Sequence, residues 1–120
     1  MQSAAVNRVV HLELHTCELA HARALYGRLL GWRPEQVDDS HASYLSLELG
    51  SCLSGGMVQC PTPRSLWLPY VAVSDVRRAT DQARALGAAV LLEPREGPAG
   101  WRSVVSSRSG GELAFWQAKH

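Results

Sequence analysis

Residues 9–32, VVHLELHTCELAHARALYGRLLGW, and residues 66–90, LWLPYVAVSDVRRATDQARALGAAV, repeat one pattern. In each, a segment of strand-like alternation leads into helical spacing: the first strand ends at Thr16 and its helix at Gly31, the second at Val73 and Gly87. Each copy is followed by material that reads as short strands and turns. A repeat of about half the chain predicts two similar modules sharing one core. At 120 residues, 46% hydrophobic and 19% charged, the chain suits one compact domain in which each module needs the other.

The first strand carries chemistry as well as periodicity. Val10, Leu12 and Leu14 fall on one face, and His11, Glu13 and His15 on the other. The helix that follows offers Leu19, Leu25, Leu29 and Leu30, with Ala22 and Tyr26, as a broad apolar stripe to cover the apolar face. Unpaired buried charge is expensive, so the His, Glu, His row is expected in water or lining a cavity.

The second copy keeps the pattern with less charge. Trp67, Val71 and Val73 alternate with Leu68, Tyr70 and Ala72, while Pro69 suits the start or edge of a strand. Ser74 is the expected N-cap, with Asp75 near the positive end of the helix dipole. Ala89–Leu92 reads as a strand, the segment EPREGPAG at Glu93–Gly100 as a turn, and Arg102–Ser106 with Glu112–Gln117 as a closing hairpin around Ser109, Gly110 and Gly111. The matching strands of the first module are Arg33–Val37, Tyr44–Leu49 and Leu53–Gln59. The boundaries are thus a first module over about 8–60, a linker over 61–65 and a second module over about 66–118.

Composition excludes several functions. A net charge of +1 gives no basic stripe for nucleic acid, and no segment is long and apolar enough to act as a signal peptide or membrane span. Three cysteines, Cys17, Cys52 and Cys60, lack zinc-ribbon spacing, so reduced thiols in the cytoplasm are expected. There is no P-loop, dinucleotide fingerprint or nucleophile elbow.

LYGRLLGW, YVAVSDVRRATDQARALGAAVLLEP and SRSGGELAFWQ resemble the glyoxalase, bleomycin resistance and extradiol dioxygenase group, the vicinal oxygen chelate superfamily. The resemblance covers about Val9 to Gln117. It implies an α+β fold of paired βαβββ modules whose sheets curl around a shared cup. In the metalloenzymes of that group the cup holds a metal through one residue from the first and last strand of each module. Carried over, these positions fall on His11, on the stretch Leu53–Gln59, on Leu68 and on Ala114. His11 alone is a metal ligand by type, because Leu49–Ser74 contains no Asp, Glu or His.

No resident metal is therefore expected. The alternative is a divalent Zn, Ni, Mn or Fe at an irregular site built from His11 with Glu13, or Glu13 with His15, and Glu112 adding a carboxylate. His11 and His15, roughly 13 Å apart at about 3.3 Å per residue, are too distant to share one metal. Tyr70 and Trp116 share the expected cup face with His11 and offer stacking surfaces to a flat ligand. The expected ligand contacts are then His11, Glu13, His15, Leu68, Tyr70, Glu112, Ala114 and Trp116. Two function classes follow. One is a metal-free binder of an apolar or aromatic organic molecule, similar to the antibiotic-sequestering members. The other is a lyase, isomerase or dioxygenase, using an irregular metal or His11 and Glu13 as a catalytic acid/base pair. The family resemblance also implies a homodimer.

Overall fold

The computed structural model describes residues 7–36 and 44–119. The chain divides into two compact units, His11–Leu68 and a second made of the residues up to Val10 with those from Pro69 onward. Val37, the expected end of the second strand, and residues 38–43 lie outside the described residues.

The first module contains β1 (Val9–Thr16), α1 (Leu19–Leu30), β2 (Glu35–Gln36), β3 (Tyr44–Gly50) and β4 (Leu53–Gln59). Its strands lie in the order β2-β3-β4-β1, with β1 parallel to β4 and the other pairs antiparallel. The second module repeats this with β5 (Leu66–Ala72), α2 (Val76–Ala85), β6 (Ala89–Glu96), β7 (Gly100–Ser107) and β8 (Gly111–Ala118), ordered β5-β8-β7-β6. Again the outer pair β5 and β8 is parallel and the hairpins are antiparallel. Strand, helix, three strands, twice over, is the mixed α+β architecture expected from the repeat.

The repeat extends to how each helix begins. Glu18 precedes α1 without a side-chain cap; instead Gln59, at the end of β4, accepts from the Leu19 N–H at 2.8 Å. In the second module Gln117 of β8 accepts from the Val76 N–H, also at 2.8 Å. A glutamine on the last strand thus satisfies an orphan helix donor in both modules. Asp75, rather than Ser74, is the N-cap of α2: its backbone is extended and its carboxylate accepts from the Arg78 N–H at 3.2 Å. Gly31 ends α1 in the left-handed region at φ 75°.

In the first unit Leu14, Leu19, Leu45, Leu47 and Met57 form the core, with Ala22, Tyr26, Trp32 and Trp67 packed against it. Leu25, Leu29 and Leu30 do not join the stripe expected of α1; they are exposed, Leu29 at 67%. Leu19, Ala22 and Tyr26 recur at three- and four-residue spacing and turn one face of α1 inward, leaving those leucines on the outer flank. Trp32 lies between α1 and β2. It packs with Tyr26 and Trp67 at ring separations of 5.3 to 6.1 Å.

The second unit departs from the sequence reading at its prolines. Pro69 is the fourth of seven residues in β5, not an end residue; pairing with β8 begins at Tyr70, so the missing N–H falls before that ladder. The segment Glu93–Gly100 is mostly strand, because register shifts in β6 before and after Leu92 absorb Pro94. The turn shrinks to 97–99, and Trp101 stands on β7. Thr80 and Ser103 are fully buried and share a 2.7 Å hydrogen bond, while the Thr80 hydroxyl also lies 2.6 Å from the Val76 carbonyl. No helix among the described residues is long and apolar enough to cross a membrane.

Candidate functional site

Alternation along β1 places His11, Glu13 and His15 on one face, and the structure joins them through the central carboxylate. His11 Nε2 donates to Glu13 Oε2 at 3.1 Å, and His15 Nε2 donates to Glu13 Oε1 at 3.0 Å. Although four residues apart on the strand, the two rings lean onto opposite oxygens of one acid. Glu13 is only 9% exposed, more buried than either histidine.

A further donor arrives from β3. Strand β4 lies between β1 and β3, and Gly56 stands directly opposite Glu13. The Tyr44 side chain crosses over Gly56, whose Cβ, if present, would collide with the phenol oxygen and ring. The Tyr44 hydroxyl then donates to the Glu13 carboxylate. An ionised carboxylate only accepts, so two imidazole N–H groups and a phenol satisfy it and offset its desolvation. Burial, then the negative charge of Glu13 and the hydrogen bond to it, push the Tyr44 phenol up from 10.0 to about 12. Tyr44 is a neutral donor throughout the physiological range.

The carboxylate also fixes a tautomer. In the neutral ring, donation from Nε2 to Glu13 leaves His11 Nδ1 as the acceptor. Ser54, opposite His11 in the β1/β4 register, places its Oγ 2.6 Å from that Nδ1. The result is a hydrogen-bonded chain from the exposed Ser54 hydroxyl through His11 to the buried Glu13.

The other expected contacts stand on β5 and β8. Tyr70 is 6% exposed, and its hydroxyl accepts from Arg102 Nη1 at 3.0 Å. Trp116 covers Gly100, where a Cβ would meet the indole ring and the Gln117 carbonyl. Ala114 is buried on β8 and Glu112 is exposed at its start. Leu68 is buried at the end of the first unit. Sequence reasoning missed Tyr44 and Ser54. The adjacent Gly55 and Gly56 inside a strand were the available signal, since strand glycines mark close approach by another group.

The donor set does not fit the metal that the resemblance implies. The two histidine Nε2 atoms and the phenol are directed at the carboxylate, at hydrogen-bond distances, and Ser54 occupies the β4 position opposite His11. Among the described residues no group of three His, Cys, Asp or Glu side chains is arranged to hold a metal ion.

No family model and no curated protein matches the sequence. Solved structures do match. Methylmalonyl-CoA epimerase from Mycobacterium tuberculosis is similar over 100% of this chain and 94% of its own, with TM-score 0.64 and 15% identity. A variant of the epimerase from Streptomyces coelicolor, in complex with 2-nitronate-propionyl-CoA, aligns over 96% of this chain and 99% of its own, with TM-score 0.64 and 14% identity. The Mn(II)-bound glyoxalase from Novosphingobium aromaticivorans aligns over 93% of this chain and 39% of its own, with TM-score 0.64 and 15% identity. The fold is therefore the glyoxalase-like fold of these neighbours.

Proposed function

We propose that this chain binds a small organic molecule through the polar row of β1 and does so without the metal of its fold family. One observation carries the reading: the β1 residues available as metal ligands hold one another, with Glu13 engaged by His11, His15 and Tyr44. A carboxylate so engaged is a poor open ligand, whereas the second ring nitrogen of His15, whose Nε2 is turned to Glu13, can accept from a hydroxyl group of a ligand. Similarity to epimerases, one of them in complex with an acyl-CoA analogue, supports a small organic ligand over a macromolecule.

A second reading, acid–base catalysis on a carbonyl compound, draws on the 3.1 Å bond from His11 to Glu13, which orients the imidazole for proton transfer. The free thiols of Cys17, Cys52 and Cys60 support a reducing, cytoplasmic setting. Exposed Leu25, Leu29 and Leu30 on α1 support self-association as a homodimer, which light scattering across a concentration series measures.

The test is quantitative metal analysis of untagged protein before and after incubation with Zn, Ni, Mn and Fe(II), repeated on His11→Ala, followed by a thermal-shift screen of small organic ligands. Metal far below stoichiometry, with ligand shifts that His11→Ala abolishes, is the expected result. Near-stoichiometric metal that disappears in His11→Ala would overturn the metal-free reading.

A further inference from the structure

We infer that Ser54 is a nucleophile, activated by His11 and taking the acyl group of an activated carboxylic ester. Three features of the first unit combine. Ser54 is exposed at the surface, so an acyl donor can reach it. Its Oγ lies 2.6 Å from His11 Nδ1, within the reach expected of a nucleophile and its base. The opposite ring nitrogen is held at 3.1 Å by Glu13, which keeps the proton on Nε2 and leaves Nδ1 to accept.

The roles follow the general serine–histidine–carboxylate logic with the two ring nitrogens exchanged. Tyr44 and His15 strengthen the arrangement indirectly: by donating to the same carboxylate they hold Glu13 in place. Glu13 is thus a positioning residue, while Ser54 and His11 touch the reacting atoms.

The step balances without a redox partner. A Ser54 Oγ lone pair forms a bond to the acyl carbon as the carbonyl π pair moves onto its oxygen, and the hydroxyl proton passes to His11 Nδ1. Collapse of the tetrahedral adduct breaks the bond to the leaving oxygen, which takes the proton from Nδ1, giving acyl-Ser54 and a free alcohol. Water can then repeat the sequence, releasing the carboxylic acid and restoring the serine. Gly55 and Gly56, which follow Ser54, lie in the ladder between β1 and β3. Their N–H groups are not gathered as an oxyanion hole, so the site is suited to stoichiometric acylation rather than rapid turnover.

This inference rests on the metal-free state of His11 proposed above, and the experiment separates the two. Purified full-length protein is assayed for metal, then treated with p-nitrophenyl acetate; nitrophenolate release is followed and the acetylated residue located by peptide mass spectrometry. Expected are one equivalent of label on Ser54, its loss in Ser54→Ala, and a rate slowed about 100-fold or more in His11→Asn. Histidine-selective nitrogen NMR checks Glu13: the Nε2–H tautomer of His11 should predominate in wild type and lose that preference in Glu13→Gln, a change that a purely structural role would not produce. Label on His11 or a lysine that persists in Ser54→Ala overturns the inference. Metal-free, folded and unreactive protein overturns it while leaving the earlier reading intact; stoichiometric metal with no acylation overturns both.

Discussion

Replacing Glu13 by glutamine removes the charge that, after burial, does most to keep the Tyr44 phenol neutral. The wild-type phenol is raised from 10.0 to about 12, which corresponds to roughly a hundredfold tighter hold on its proton. Burial is the largest cause and survives the substitution, so in Glu13→Gln the Tyr44 transition should fall between these limits rather than return fully to 10.0. The effect on stability has a definite sign. A group whose folded pKa is raised stabilises the fold below its unfolded pKa, and this contribution is lost as pH rises through the folded one. Tyr44 therefore supports the fold fully below pH 10.0, and its support is lost as pH climbs toward about 12. Phenolate absorbance followed during alkaline titration measures the transition, and Tyr44→Phe identifies which phenol is responsible. Chemical denaturation across the same window should show a shallower loss of stability in Tyr44→Phe. A Tyr44 transition unmoved or raised in Glu13→Gln would refute the coupling between these side chains.

Gly56→Ala should force Tyr44 off its path to Glu13, costing about 1–3 kcal/mol in urea denaturation and bringing the late phenol transition down with it. Met57→Ala, at a residue 0% exposed in the core of the first unit, should cost about 2–5 kcal/mol by the same assay. Thr80→Val leaves the buried Ser103 hydroxyl without its threonine partner, for about 1–3 kcal/mol; Ser103→Ala added to it should cost less than the sum of the single changes, a coupling that equal additivity would disprove. Asp75→Ala should lower stability by about 1 kcal/mol, and Ser74→Ala by much less, in parallel thermal melts.

Element order was legible because it depends on local rules: alternation in β1 and β5, helical spacing in α1 and α2, and Gly31 and Gly87 as stops. The misreadings arose where another strand decides the outcome. Pro94 looked like turn chemistry, yet β7 supplies pairing that a bulged β6 can use. Leu25, Leu29 and Leu30 were apolar at helical spacing, but periodicity does not say which flank meets the sheet. The His, Glu, His row was legible as a functional candidate from one strand alone. Its completion was not, since Tyr44 comes from two strands away across Gly56, and Ser54 depends on the parallel register of β1 and β4. Both Gln59 and Gln117 read as ordinary strand ends, although each reaches back to the start of its module's helix.

The aromatic residues also give the chain a spectroscopic address for each half. Trp32 and Trp67 belong to the first unit, where their rings stand 6.1 Å apart and nearly perpendicular, with Tyr26 touching both. Trp101 and Trp116 belong to the second, where the Lys119 ammonium lies 5.5 Å from the Trp101 ring centroid. Conversion of either pair to phenylalanine would leave intrinsic fluorescence from one unit alone. Unfolding of one unit can thus be timed against the other in the same chain, without an added dye.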